Sequence, residues 1–215
     1  MNDTNNLYLW ACFRPNDLTP FKDFYEPILA EMPDHWSPKP LDEFHESIAF
    51  LGKQPREIYP EICDIFSRAA KEIKQTPRIY PGLGHFLNLS YPEIGKKKSR
   101  KPKMNVIYAA PDNPGRVQAS QMHRRLAGLL AHQAFPYGIR SDKFNPHATL
   151  AKVPNEDDEQ TQEFVLRFIN HPSPEWLCDS LYLMNTRQNN HPDHPDNNPA
   201  STSRYEILEK FDLAP

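Results

Sequence analysis

Two short stretches of the chain repeat the same seven-residue frame. Residues 45–51 and 147–153 both read histidine, any residue, a hydroxyl residue, an aliphatic residue, alanine, any residue and an aliphatic residue. The histidines lie 102 positions apart (147 minus 45), so each half of the chain holds one frame. Around each frame, apolar periodicity predicts the same order of strand, helix, histidine strand, helix and strand. Such a repeated order is typical of a duplicated α+β unit with two related lobes.

The predicted elements follow apolar periodicity and the positions of proline and glycine. Strands are predicted at 7–13, 45–51, 78–89, 104–109, 147–153, 176–184 and 205–211. Helices are predicted to begin near Thr19, Ile58, Pro114 and Asn155. We expect a single bilobal α+β domain over residues 1–215, with approximate halves 1–100 and 101–215. Its two antiparallel sheets should face a central groove, with the helices outside.

The composition restricts the partner and the cellular setting. The formal net charge of -3 gives no global basic field, so we expect a small partner or a nucleic-acid end. The three cysteines are odd in number and form no C-x-x-C pair, which argues against a disulfide framework and a zinc site. No apolar run approaches the length of about 18 residues that a membrane helix needs. We therefore expect a cytoplasmic monomer that does not bind membranes.

Each frame presents an imidazole and a hydroxyl on one face of a strand. Because side chains alternate along a strand, His45 and Ser47 project to one side, and His147 and Thr149 do the same. The unperturbed pKa of histidine is about 6.5, so at neutral pH one imidazole can accept a proton while the other donates one. The hydroxyls can donate hydrogen bonds to phosphate oxygens. This set predicts phosphodiester chemistry without a metal and leaves open which histidine is the acid.

The two frames resemble the motifs of the two-histidine phosphoesterase superfamily. The first H-x-[ST] strand continues as Phe50-Leu51-Gly52, and the second is preceded by Pro146. The match is closest to the RNA 2′,3′-cyclic phosphodiesterase, or 2′-5′ RNA ligase, family. The similarity spans nearly the whole chain and includes Trp10-Ala11, Gly84-His85-Phe86, 105–108 and 205–211.

This resemblance implies an activity and a set of site residues. The family hydrolyses a 2′,3′-cyclic phosphate at an RNA or nucleotide end to a 2′-phosphate, sometimes with reversible 2′-5′ joining, and it uses no metal or other cofactor. Its catalytic histidines fall on His45 and His147. Its phosphate-binding hydroxyl residues fall on Ser47 and Thr149.

One position departs from the family pattern. RNA-processing members usually continue the second motif to an arginine, where this chain has Lys152. Lysine keeps the positive charge but lacks the bidentate fork of arginine. Simple alternation also places Lys152 on the face opposite His147, so a contact with substrate requires a bulge or the end of the strand.

Other features leave alternatives open. Lys96–Lys103 is rich in basic residues and suits either an RNA contact or a solvated loop. The substrate could instead be another cyclic or 2′-5′ linked nucleotide, such as ADP-ribose 1″,2″-cyclic phosphate. A third hypothesis is a nucleotide- or RNA-binding module without turnover. His123 and His132, on the third predicted helix, are expected to be surface or lobe-packing residues.

Overall fold

The computed structural model describes residues 6–86, 104–131, 144–186 and 205–215; the basic segment Lys96–Lys103 and His132 lie outside them. The strands are β1 (Asn6–Phe13), β2 (Ser37–Pro38), β3 (Glu46–Pro55), β4 (Thr76–Arg78), β5 (Leu83–Phe86), β6 (Met104–Ala109), β7 (Ala148–Pro154), β8 (Trp176–Cys178), β9 (Ser180–Thr186) and β10 (Tyr205–Asp212). The helices are α1 (Lys22–Ala30), α2 (Tyr59–Ala70), α3 (Asn113–Ala131) and α4 (Asp158–Arg167).

Most of the strands form one antiparallel sheet. Its order is β10-β9-β1-β3-β7-β6-β5, with β2 paired to β7, while β4 and β8 form a separate two-stranded sheet. The α+β class with two antiparallel sheets is thus confirmed. The large sheet has two parts that meet where Glu46 of β3 pairs with Ala148 of β7. Because β9 and β10 lie beside β1, and β5 lies beside β6, each part takes strands from both sides of residue 100.

The core lies between the helices and one face of the large sheet. On β1, Leu9, Ala11 and Phe13 belong to this core, because side chains alternate along the strand. The intervening Trp10 and Cys12 form a separate apolar cluster on the other face. Among the described residues, this second cluster consists of strand residues alone, so that face can hold a site.

Two apolar residues at the helices lie outside the core. Val117 of α3 and Ile169, which follows α4, are 49% and 50% exposed. In α3 the buried stripe includes Gln118, Met122 and Leu126, which recur every four residues, so Val117 lies beside the stripe. Within the described ranges, no helix has the length and apolarity that crossing a membrane requires.

Both histidine strands contain a β-bulge three residues after the histidine. Ile48 is the extra residue of β3 against β1, and Leu150 is the extra residue of β7 against β6. A bulge shifts the alternation of side chains by one position. Phe50 and Lys152, which follow the two bulges, therefore lie on the same face as the histidines. The bulge that a substrate contact by Lys152 requires is thus present at Leu150, and simple alternation does not apply to this strand.

The first histidine strand is longer than predicted. Gly52 was expected to end it, but β3 continues to Pro55. A second bulge at Leu51 precedes Gly52, whose φ of 71° lies in the left-handed region that glycine adopts at little cost. The glycine thus permits a bulge within the strand instead of terminating it.

Candidate active site

The two histidines lie where the two parts of the large sheet meet. His45 directly precedes β3, and His147 directly precedes β7. The residues that follow them, Glu46 and Ala148, form the pair that joins the two strands, and both are fully buried on the core face. The histidines therefore lie on the opposite face, that of Trp10.

The register of this junction brings the four predicted site residues together. Continued from the Glu46–Ala148 pair, the antiparallel register places His45 beside Thr149 and Ser47 beside His147. In a regular antiparallel pair, diagonal neighbours such as the two histidines are about 7–8 Å apart, which leaves room for a phosphate group. The side chain of Ser47 is exposed and that of Thr149 is half-buried. Two imidazoles and two hydroxyls therefore share one surface.

Both imidazoles are oriented by the same backbone contact. His45 Nδ1 lies 2.6 Å from the carbonyl oxygen of Glu43, and His147 Nδ1 lies 2.7 Å from that of Asn145. A carbonyl oxygen only accepts hydrogen bonds, so Nδ1 is the protonated nitrogen in both rings. The Nε2 atom of each neutral ring therefore has a lone pair that can accept a proton.

Aromatic rings flank each histidine in matching positions. Trp10 of β1 and Tyr205 of β10 lie 4.3 and 5.4 Å from the His45 ring, measured between centroids. Phe86 of β5 and Tyr108 of β6 lie 5.0 and 5.5 Å from the His147 ring. All four rings belong to segments that carry the family resemblance, although none of them was singled out as a site residue.

Burial lowers the pKa of both histidines. The pKa of His45 is lowered to about 4, chiefly by loss of solvation; the hydrogen bond to Glu43 opposes this shift, and the positive charges of Lys39 and Arg14 add to it. Loss of solvation also lowers the pKa of His147, against the hydrogen bond to Asn145. Both rings are therefore neutral at pH 7 in the free protein. An anion bound between them would favour the protonated form of either ring.

Lys39 is a site residue that the sequence motifs do not identify. Its ammonium group lies 3.1 Å from Glu43 Oε2 and 3.1 Å from Tyr205 Oη. The hydrogen bond to Tyr205 holds that ring against His45. Lys39 therefore connects the segment before β3 to the opposite edge of the sheet.

A buried ion pair lies beneath the junction. Arg78 Nη1 donates to Glu46 Oε2 over 2.8 Å, and both side chains are fully buried. Arg78 also donates to Gln118, and its guanidinium lies 5.0 Å from the centre of the Phe13 ring. Burial raises the pKa of Glu46, and the charge of Arg78 opposes that shift. The sequence gives one signal for this ion pair: Glu46 is a charged residue inside the first frame, at a position that alternation assigns to the core.

Comparison with known proteins gives matches only at the level of structure. No family model matches the sequence, and no curated protein matches it. Escherichia coli LigT complexed with 3′-AMP superposes with a TM-score of 0.65 at 14% identity, over 98% of this chain and 99% of that one. A structure described as a phosphoesterase gives 0.65 at 16% identity, over 97% and 99%. TT0787 of Thermus thermophilus gives 0.63 at 21% identity, over 96% and 98%.

These likenesses extend over almost the full length of both chains, so they concern the whole fold and not one lobe. The chain therefore has the fold of Escherichia coli LigT and of the structure described as a phosphoesterase.

Proposed function

We propose that this protein hydrolyses a 2′,3′-cyclic phosphate at an RNA or nucleotide end to a 2′-phosphate, with His45 and His147 as its acid–base pair. The observation that supports this most directly is the matched geometry of the two rings. Each ring is bonded at Nδ1 to a backbone carbonyl two residues earlier, and each has Nε2 left for proton transfer. Two such rings on one face suit a reaction that needs one proton removed and one supplied.

The proposed step needs only the side chains at the junction. One imidazole takes a proton from water as its oxygen attacks phosphorus, and the other protonates the 3′ oxygen as the P–O3′ bond breaks. Ser47 and Thr149 donate hydrogen bonds to the non-bridging oxygens, where negative charge increases in the transition state. Each proton transfer contributes about 10²–10⁴-fold to the rate. With a 5′ hydroxyl of RNA as the attacking nucleophile in place of water, the same P–O3′ bond breaks and a 2′-5′ linkage forms, which is the joining reaction.

Neutral imidazoles in the free protein fit this scheme once the substrate is bound. The cyclic phosphate is an anion, and an anion close to a histidine raises its pKa. Burial keeps both rings neutral before binding, so one ring takes up a proton only when the phosphate lies between them. Substrate binding thus creates the protonation state that the reaction uses.

The residues that follow the bulges, Lys152 and Phe50, give the two ends of the site different chemistry: a cation at one end and an aromatic ring at the other. Lys152 lies on the face of His147, where its ammonium can contact a phosphate oxygen. Phe50 occupies the equivalent position on the face of His45 and is 67% exposed. An aromatic ring of this exposure suits stacking on a nucleobase. The complexes of LigT with 3′-AMP and with phosphate agree with a site for a phosphate and a base.

The proposal is tested by a turnover screen with EDTA present. Nucleoside 2′,3′-cyclic phosphates, an oligonucleotide ending in a 2′,3′-cyclic phosphate, ADP-ribose 1″,2″-cyclic phosphate and a 2′-5′ linked dinucleotide are assayed side by side, and products are identified by ³¹P NMR. We expect release of the 2′-phosphate from the 2′,3′-cyclic substrates. A product with a 3′-phosphate, or binding of cyclic nucleotide with no turnover, contradicts the proposal.

A further inference from the structure

His123 of α3 contacts the strand of the first histidine. Its Nδ1 lies 2.7 Å from the carbonyl oxygen of Ile48, so it donates a hydrogen bond to the bulge residue of β3. The extra residue of a bulge is left out of the ladder, and its carbonyl needs a partner from elsewhere. His123 supplies that partner from the helix layer, one residue beyond Ser47.

The same ring contacts the segment of the second histidine. It stacks on Phe144, with centroids 4.1 Å apart and an angle of 4° between the ring planes. Phe144 lies three residues before His147, in the stretch whose Asn145 carbonyl orients that histidine. One buried side chain is therefore in contact with both catalytic segments, within three residues of each histidine.

The carbonyl group of the bulge residue in β7, Leu150, has different hydrogen-bond donors. The carbonyl oxygen of Leu150 accepts from the backbone N–H of Lys39 over 2.7 Å and from Tyr25 Oη over 3.3 Å. These donors come from the first half of the chain and not from α3. Of the bulges at Ile48 and Leu150, His123 therefore contacts only the one at Ile48. Its Nε2 is buried without a hydrogen-bond partner in the described residues. A leucine or methionine would fill this position without leaving a buried nitrogen unpaired, so packing alone does not account for histidine here.

We propose that His123 is a positioning residue that sets the two catalytic histidines relative to each other, which rests on the acid–base roles proposed above. Its Nδ1–H holds the bulge that follows His45 and Ser47, and its ring face holds the segment that leads into His147. The two functions belong to different parts of one side chain. Substitution can therefore separate them.

Two variants remove one contact each. His123→Phe keeps a ring that can stack on Phe144 but has no donor for Ile48. His123→Asn keeps an N–H near the position of Nδ1 but has no ring. We expect kcat for a nucleoside 2′,3′-cyclic phosphate to fall about 10-fold in each, with a nearly constant KM, because displacements of about 1 Å can cost up to 10²-fold in rate. Imidazole ¹⁵N signals should move for His45 in the first variant and for His147 in the second.

Leu126→Ala is the matched control. Leu126 is buried in the same helix, and its aliphatic side chain cannot form a hydrogen bond, so this change destabilises the core without removing either contact. We expect its kcat and both imidazole signals to stay close to those of the parent at a temperature where all variants are folded. Unchanged kcat and His45 signals in His123→Phe, or equal losses in Leu126→Ala, overturn the proposal. If the parent itself turns over no cyclic phosphate, the proposed function fails, and the ¹⁵N signals alone still decide the role of His123.

Discussion

The depressed pKa of His45 predicts a measurable loss of stability in acid. The pKa is about 6.5 in the unfolded chain and about 4 in the folded protein, a difference of about 2.5, which corresponds to about 3.4 kcal/mol. Because the folded state disfavours the imidazolium, the stabilisation is fully present above pH 6.5. It is lost as the pH falls towards 4. The loss from this residue alone is about 2 kcal/mol by pH 5 and about 3 kcal/mol by pH 4.

The perturbation that isolates this contribution is His45→Gln, which removes the titrating group. Urea unfolding of both proteins is measured from pH 8 to pH 4, in phosphate-free buffer because a bound phosphate favours the imidazolium. We expect the variant to lose less free energy of unfolding than the parent across this range, by about 3 kcal/mol at pH 4. An NMR titration of the His45 ring in the native parent gives the folded pKa directly. Parallel stability curves, or a native His45 that titrates near 6.5, would refute the reasoning.

Three further predictions follow from the site and its support. The value of kcat/KM should fall as the pH rises above about 6.5. Both pKa values lie below the ordinary one, so the free protein has neutral rings in this range and must take up a proton together with the substrate. A pH–rate profile that rises over this range contradicts the scheme. Glu46→Leu and Arg78→Met should each lower the free energy of unfolding in urea by about 3–5 kcal/mol, because each change leaves a buried charge unpaired. The double variant should lose much less. Additive losses in the double variant would contradict the coupling of the two charges. Phe50→Ala should weaken binding of a nucleoside 2′,3′-cyclic phosphate by about 1–3 kcal/mol, measured as a rise in KM. The KM for a ribose cyclic phosphate without a base should not change. An equal rise in KM for both substrates excludes stacking on the base.

Local patterns in the sequence predicted much of the fold. The strand 104–109 coincides with β6, and its buried residues alternate as a half-exposed strand requires. The two histidine frames predicted the site because a strand places residues two apart on one face whatever surrounds it. The arrangement of β9 and β10 beside β1 was not predictable in this way, since it depends on contacts between distant segments.

The parts of the site that sequence reasoning left open or missed all depend on tertiary contacts. The bulge at Leu150 brings Lys152 onto the catalytic face, and nothing in the local residues distinguishes a bulged strand from a regular one. Tyr205 reaches His45 from a strand 160 positions away (205 minus 45). His123 was expected to be a surface or lobe-packing residue, and its contacts with Ile48 and Phe144 show the second. Each of these contacts is fixed by the packing of the whole chain.

The central claim is that His45 and His147 act as one acid–base pair. The most direct measurement is turnover of a nucleoside 2′,3′-cyclic phosphate by His45→Ala, His147→Ala and the double variant, with EDTA present and folding checked by circular dichroism. We predict that each single variant loses at least about 10²-fold in kcat, and that the double variant loses little more than either, because groups that act as a unit are not additive. Full activity in either single variant, with the fold intact, would contradict the account.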